Sequence, residues 1–370
     1  MNISKSIKSK ENWVELLLAW SSCLDRELPW RERYPRNPYY VWVSEIMLQQ
    51  TRTEAVKPYF NTWIHKFPTV HDLAYAEESE VLHTWQGLGY YNRARNLQRA
   101  AQEVESKYGG NLPETRSELE SLPGIGSYTA GAILSIAYGQ REVAVDGNIL
   151  RIYSRLYNIE EDIMKSKGKR KITQLVEETL PIPAGIFNEA LMDLGQEICI
   201  PKYPKCGECP ISMACDAYAL GKEKTLPIKT KKKAPKEYYV ACALIMKDNK
   251  FLMHKRADKG MLASMWEFPM IIDESADKAV HDLFILWGEE SNVDSIWTYS
   301  HTFSHQIWHM SAYLIKQKNQ IVLDKNLKWF SSEEYMHIPL AGPHARLAAW
   351  AKKIVNLFHC LFILSKVPFE

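Results

Sequence analysis

Four cysteines crowd into residues 199–215, as Cys199-x6-Cys206-x2-Cys209-x5-Cys215. Thiolates this close together tie a short segment to one compact soft centre, so they dictate the course of the loop that carries them. Zinc and an iron–sulfur cluster both accept four cysteines. Zinc sites usually show two matched Cys-x2-Cys arms. Here only Cys206 and Cys209 form such an arm, and the uneven spacing favours a [4Fe–4S] cluster over zinc. Disulfides fit less well. Seven cysteines leave Cys23, Cys242 and Cys360 over, and the start MNISKSIKSKENW carries lysines without the apolar stretch of a secretory leader. A reducing compartment is therefore expected. The longest apolar run, VNLFHCLFILS at 355–365, is too short to span a bilayer.

The 370 residues suffice for two or three domains with real cores. Amphipathic runs separated by Gly and Pro fill residues 11–220, among them ENWVELLLAWSSCL, VWVSEIMLQQ and YNRARNLQRAAQEVESKY. This part reads as all-α. The segment GKEKTLPIKTKKKAPKE, 221–237, holds seven lysines and two prolines without apolar periodicity and reads as a basic, semi-rigid linker. From 238 to 370, YYVACALIM, KFLMHKR, WEFPMII, IWHMSAYLI and QIVLD read as short strands, with a helix around 275–287, so this part is α+β. Net charge is only +2, and Lys+Arg and Asp+Glu balance at 14 each beyond 237. Any nucleic-acid binding must come from local placement of charge and backbone donors.

ELESLPGIGSYTAGAILSIAYG, within 114–139, reads as helix, turn, helix. Pro123 ends the first helix, Gly124 and Gly126 allow a tight turn, and Ser127 is placed to cap the second helix. Such a turn aims backbone N–H groups at an anion, so it can grip a phosphate; a plain helix corner is the other reading.

Two carboxylates stand out. Val41, Glu45 and Leu48 share one helix face, so Glu45 is a carboxylate on an apolar stripe. Lost hydration should raise its pKa and suit it to general-acid work, unless it is merely paired with an arginine. Asp146 precedes NILRIYSRLY after Gly147 and, from the pattern alone, reads first as a helix cap.

Taken together, the hairpin at 122–133, the aspartate in VAVDGN and the four-cysteine loop resemble the endonuclease III superfamily of helix-hairpin-helix DNA glycosylases. Within it, VSEIMLQQT (43–51), WQGLGYYNRARNL (85–97), LPGIGSYTAGAI (122–133), FNEALMDLG (187–195) and HTFSH (301–305) resemble a MutY-type adenine DNA glycosylase, over roughly residues 11–345. That resemblance implies a helical glycosylase domain with a [4Fe–4S] loop on Cys199, Cys206, Cys209 and Cys215, followed by a Nudix-like domain. No Arg-Glu-x-x-Glu-Glu run follows Gly260, so nucleotide hydrolysis is not expected of it.

The same resemblance implies hydrolysis of the N-glycosidic bond of adenine opposite 8-oxoguanine or guanine in double-stranded DNA. Glu45 would protonate the base and handle the incoming water. Asp146, supported by Asn148, would stabilise the sugar cation. Tyr128 stands where lyase relatives carry a Schiff-base lysine, so the enzyme would be monofunctional, with Tyr128 donating a hydrogen bond near Glu45. Gly124, Gly126 and Ser127 would hold phosphate. Leu48, Gln50, Thr51 and Tyr90 would surround the opposite base, and Phe303, Ser304 and His305 would read the lesion. Lys202, Lys205 and Lys222, near the cysteine loop, could meet phosphates. His301 and His309 lack an acidic partner at ligand spacing. A bacterial cytoplasmic, nucleoid-associated monomer is the expected setting. Two rival readings stay open: a pyrimidine-damage glycosylase/lyase, which Tyr128 and the C-terminal part disfavour, and a non-enzymatic iron–sulfur DNA-binding protein.

Overall fold

The computed structural model describes residues 12–31, 36–230, 234–288, 295–315 and 325–364, the last with side chains up to 353. The chain divides into two compact units: Met1–Ala76 with Asn92–Lys231, and Glu77–Tyr91 with Lys232–Glu370. The sequence places 77–91 with the helical part. In the structure this segment groups with the second unit, because Tyr91 Oη donates to the Leu340 carbonyl at 3.4 Å and Leu340 N donates to Gln86 Oε1 at 3.4 Å.

The described residues of the first unit form helices joined by turns and loops, as the periodicity predicts. One core gathers helices Trp13–Ser22, Gly147–Leu156, Ser166–Thr179 and Ala184–Glu197 around Leu17, Tyr153 and Phe187, all fully buried. Cys199, Cys209 and Cys215 pack against this core. The Pro38–Leu48 helix starts with Pro38 in its first turn and Asn37 as cap, the Asn37 side chain accepting from Tyr39 N at 2.9 Å. From Val41 to Met47 every residue of this helix is buried, so Glu45 sits inside the unit and not on the margin of an amphipathic stripe.

Among its described residues the second unit is built on a seven-stranded sheet. Its strands are β1 (Lys236–Lys247), β2 (Lys250–Lys255), β3 (Trp266–Glu267), β4 (Met270–Asp273), β5 (Trp297–Thr302), β6 (Gln306–Ile315) and β7 (Leu327–Ser331). β1 is central. It runs parallel to β6 over ten pairs, from Lys236 opposite Gln306 to Ile245 opposite Ile315, and antiparallel to β2 and β4. Its side chains alternate between two cores. Val240, Cys242 and Leu244 face a layer that includes Leu347 and Ala351 of the Gly342–Leu364 helix. Ala241, Ala243 and Ile245 face the Ala276–Trp287 helix. The residues of β5 and β7 are not anticipated as strands. WTYSHT is half exposed along its length and LKWFS is short, so neither shows a clean apolar alternation. The expected strand QIVLD lies outside the described residues. No helix among the described residues is long and apolar enough to cross a membrane.

Candidate active site

A cleft of ≈ 1130 Å³ opens in the first unit, lined by Arg31, Glu45, Tyr128, Asp146, Asn148 and Met192 among others. Residues far apart in sequence meet here because several helices end or pass at its wall. Glu45 is only 6% exposed. Burial, opposed by a Tyr128 hydrogen bond and by Arg31, pushes its carboxyl up to about 7, and the Asp146 charge adds to the rise. Tyr128 Oη donates to Glu45 Oε2 at 2.5 Å. Burial holds the Tyr128 phenol well above its ordinary value, so it stays protonated and serves as a donor.

Asp146 is a helix cap as well as a cleft residue. Its Oδ1 accepts from Asn148 N at 2.8 Å and Ile149 N at 2.7 Å, and its Oδ2 accepts from Asn148 Nδ2 at 2.7 Å. Burial raises its pKa, and those three donors oppose the rise. Asn148 is fixed in turn: Arg151 Nη2 donates to Asn148 Oδ1 at 2.9 Å and to the Gly195 carbonyl at 2.7 Å. Gly195 has no room for a side chain, since a Cβ there would meet Asn148 Cβ at 2.6 Å. The two readings of Asp146, cap and cleft carboxylate, are therefore compatible.

Several supporting residues escape sequence reasoning. Glu189 and Asp193 lie one turn apart on the Ala184–Glu197 helix. They pair with Arg31 at 3.0 and 2.9 Å, and Asp193 also pairs with Arg26. This buried ion cluster sets the charge beside Glu45. FNEALMDLG shows the carboxylates, but nothing in the sequence shows which arginines reach them. Arg93, 8% exposed, donates to the carbonyls of Ile46, Met47 and Gln49 at 2.9, 2.8 and 2.7 Å, closing the end of the helix that carries Glu45. Arg93 Nη2 also reaches Thr51 Oγ1 at 3.2 Å. Leu48, Gln50 and Thr51 follow at the rim of the cleft. Gln50 is exposed and held at φ 59°, a left-handed conformation that turns the chain sharply after the helix.

The hairpin differs from expectation at one residue. Gly126, extended, is the cap of the Ser127–Ala132 helix, and Ser127 lies inside its first turn. The Ser127 hydroxyl instead takes a hydrogen bond from Arg116 Nη1 at 3.0 Å. Arg116 also binds Glu142 through Nε at 3.1 Å, tying the turn to the segment that leads to Asp146. Gly124 has φ 82°, and a Cβ there would meet Asn96 Cβ at 2.8 Å, so glycine is required at that position.

Phe303, Ser304 and His305 lie in the second unit at the tip between β5 and β6. Phe303 packs between His301 and Trp308, at 4.4 and 4.9 Å between rings, while Ser304 and His305 are exposed. Ser304 Oγ and Tyr90 Oη are 2.8 Å apart. Tyr90 also adopts a left-handed conformation, φ 50°. His309 does have an acidic partner: its Nε2 lies 3.0 Å from Glu237 Oε2, because β1 and β6 pair side by side.

The four cysteines line one small apolar cavity with Ile152, Leu156 and Ile211. Burial raises the thiols of Cys206, Cys209 (to about 12) and Cys215 (to about 11), and each is raised further by neighbouring cysteines of the set. Among the described residues no group of three or more His, Cys, Asp or Glu side chains converges on a single ion position. Arg155, 2% exposed, holds this loop. It donates to the carbonyls of Leu226, Ile200 and Pro201 at 2.9, 2.8 and 2.7 Å, and lies 3.3 Å from Cys199 Sγ. Arg155→Ala strips three carbonyl acceptors of their donor, that of Leu226 buried and those of Ile200 and Pro201 partly so, and is expected to cost roughly 2–3 kcal/mol, read as a fall in the urea midpoint at unchanged slope.

Residues 43–179 match the HhH-GPD superfamily base excision DNA repair protein family, and residues 240–350 match the NUDIX domain family. An adenine DNA glycosylase of Buchnera aphidicola from Acyrthosiphon pisum is 33% identical, covering 95% of this chain and all of that one. The human adenine DNA glycosylase is 31% identical, covering 86% of this chain and 70% of its own length. Among solved structures, a thermostable thymine-DNA glycosylase superposes with a TM-score of 0.52 at 29% identity, covering 58% of this chain and 98% of that protein.

Proposed function

Because the chain belongs to the adenine DNA glycosylase family, we propose that it excises adenine mispaired with 8-oxoguanine or guanine from duplex DNA, as a monofunctional hydrolase of base excision repair. The observation that carries this reading is the buried pair in one cleft: Glu45, its carboxyl raised to about 7, beside the hydrogen-bonded carboxylate Asp146.

The chemistry follows from that pair. A target base must leave the stack to reach either group. Protonated Glu45 gives its proton to a ring nitrogen of adenine, so the electron pair of the breaking C1′–N9 bond departs on a neutral base. The fixed charge of Asp146 stabilises the sugar oxocarbenium left behind. Water then adds to C1′ and returns a proton to the Glu45 carboxylate, leaving an abasic site. Tyr128 has no amine with which to form an imine, so strand cleavage is not part of the reaction. Leu48, Gln50 and Thr51, which line the cleft, would contact the opposite base, and Phe303, Ser304, His305 and Tyr90 would read the lesion.

The four cysteines would hold a [4Fe–4S] cluster. When bound, it would fix the fold of the loop, and Arg155 would hold the loop's carbonyls in place around it. A brown protein would match this; a colourless one holding zinc would not. The decisive assay is single-turnover excision from an adenine:8-oxoguanine duplex, quenched with and without hot alkali. Breaks are expected only after alkali. Breaks without it would favour the glycosylase/lyase reading, and no excision at all would favour the non-enzymatic one.

A further inference from the structure

The Ser166–Thr179 helix carries its charge backwards. It has Lys165 at the N-cap with no capping hydrogen bond, no acid in its first turn and no base in its last. Lys167, Lys169 and Arg170 follow, all exposed, and Glu177 and Glu178 close the helix. Positive charge at a helix N-terminus and negative charge at its C-terminus both oppose the helix dipole.

A second element adds to this surface. Ile163 N donates to the Ile228 carbonyl at 3.1 Å, and Thr230 N donates to Asp162 Oδ2 at 3.0 Å, so the 222–230 segment is laced to the turn before the helix. Gly168 seats the helix directly on that turn, where a Cβ would meet the Asp162 carbonyl at 2.4 Å. The turn offers three carboxylates. Glu161 is taken by Lys171 at 3.0 Å and Glu160 by Lys222. Asp162 accepts from Thr230 and from Met164 N at 2.8 Å but keeps its charge, on which Lys165 acts without a direct ion pair. Among the described residues, Lys165, Lys167, Lys169, Arg170 and Lys224 form no direct ion pair. Lys224 is exposed in the 222–230 segment that is laced to this turn.

We propose that these five cations form a second phosphate-binding surface, outside the catalytic cleft, that takes the backbone of duplex DNA flanking the mispair. The inference rests on the proposed action on DNA. A net charge of only +2 makes such a local surplus informative. Solvated lysines and an arginine with no buried pocket between them suit a repeating phosphate backbone and give no purchase for reading bases.

The full-length protein tests it. The variant K165Q/K167Q/K169Q/R170Q is compared with wild type for binding to a short duplex that just covers the mispair and to one extended by two helical turns on each side, over a range of salt. On the long duplex the variant should lose at least tenfold in affinity at low salt, and the slope of log K against log salt should shrink by about 0.9 for each phosphate that the variant no longer neutralises. On the short duplex the two proteins should bind and excise alike. The melting temperature should hold or rise, since the helix dipole is relieved. Equal slopes on the long duplex would overturn the proposal, as would an equal loss on both lengths, which would place the cations within the cleft's own footprint on DNA. If wild type excises no adenine from either duplex, the functional reading fails, while the comparison of slopes still decides the surface.

Discussion

Glu45→Gln is expected to abolish adenine excision, by about 10³-fold or more in single turnover, without loss of fold. The amide keeps an oxygen to accept from Tyr128 Oη, which in the native protein donates at 2.5 Å, so the geometry of the cleft should persist. What disappears is the transferable proton. The pH dependence makes the test specific. A general acid works while protonated, and burial raises Glu45 to about 7. Activity of the wild type should therefore hold below that value and fall as pH rises through it. Stability moves with the same group. In the unfolded chain the carboxyl ionises near its ordinary 4.5, whereas in the folded chain it resists until about 7. The stabilisation from the raised value is complete below 4.5 and is lost on the way to 7, about 3 kcal/mol in all. The Gln variant lacks this loss and should be the more stable protein at pH 8. A variant that still excises at the native rate, or one that is less stable at pH 8, would remove Glu45 from its assigned role.

That Glu45 is a candidate is legible in VWVSEIML, because a carboxylate among apolar residues at helical spacing has few other uses. Its protonation is less legible. It depends on complete enclosure of the Pro38–Leu48 helix, and on Arg31 being committed to Glu189 and Asp193. These partners come from distant segments, and periodicity carries no information about who meets whom. The helical first unit and the central strands β1 and β6 are foreseen for the same local reason: strong 3.6 or twofold patterns. β5 and β7 are missed because one is half exposed and the other is short. The grouping of Glu77–Tyr91 with the second unit is invisible in sequence, since it rests on hydrogen bonds to residues around 340. Ser127 shows a different failure. Its cap propensity is real, but Gly126 already holds the extended conformation of a cap and Arg116 claims the hydroxyl.

Asp146→Asn separates the two carboxylates. As a helix cap, Asn is about as good as Asp, so the loss of stability should stay within about 1–3 kcal/mol, set by the amide's mismatch and not by the cap. The lost charge is another matter. The sugar cation forms only in the transition state, so removing its fixed counter-charge should lower the excision rate by about 10²–10³-fold while leaving DNA binding nearly unchanged. The new amide also has a poor neighbour. Asp146 Oδ1 accepts two backbone N–H groups and Oδ2 accepts Asn148 Nδ2, so whichever way the Asn turns, its NH₂ faces a donor. That mismatch should loosen Asn148 from Arg151, adding to the loss of rate. The residual activity should still fall with rising pH, because Glu45 keeps its proton-donor role, but the midpoint should move below about 7, since the Asp146 charge helps raise Glu45. Activity within a few-fold of wild type would leave Asp146 as a cap alone, and a residual activity independent of pH would mean that the two carboxylates do not share one reaction.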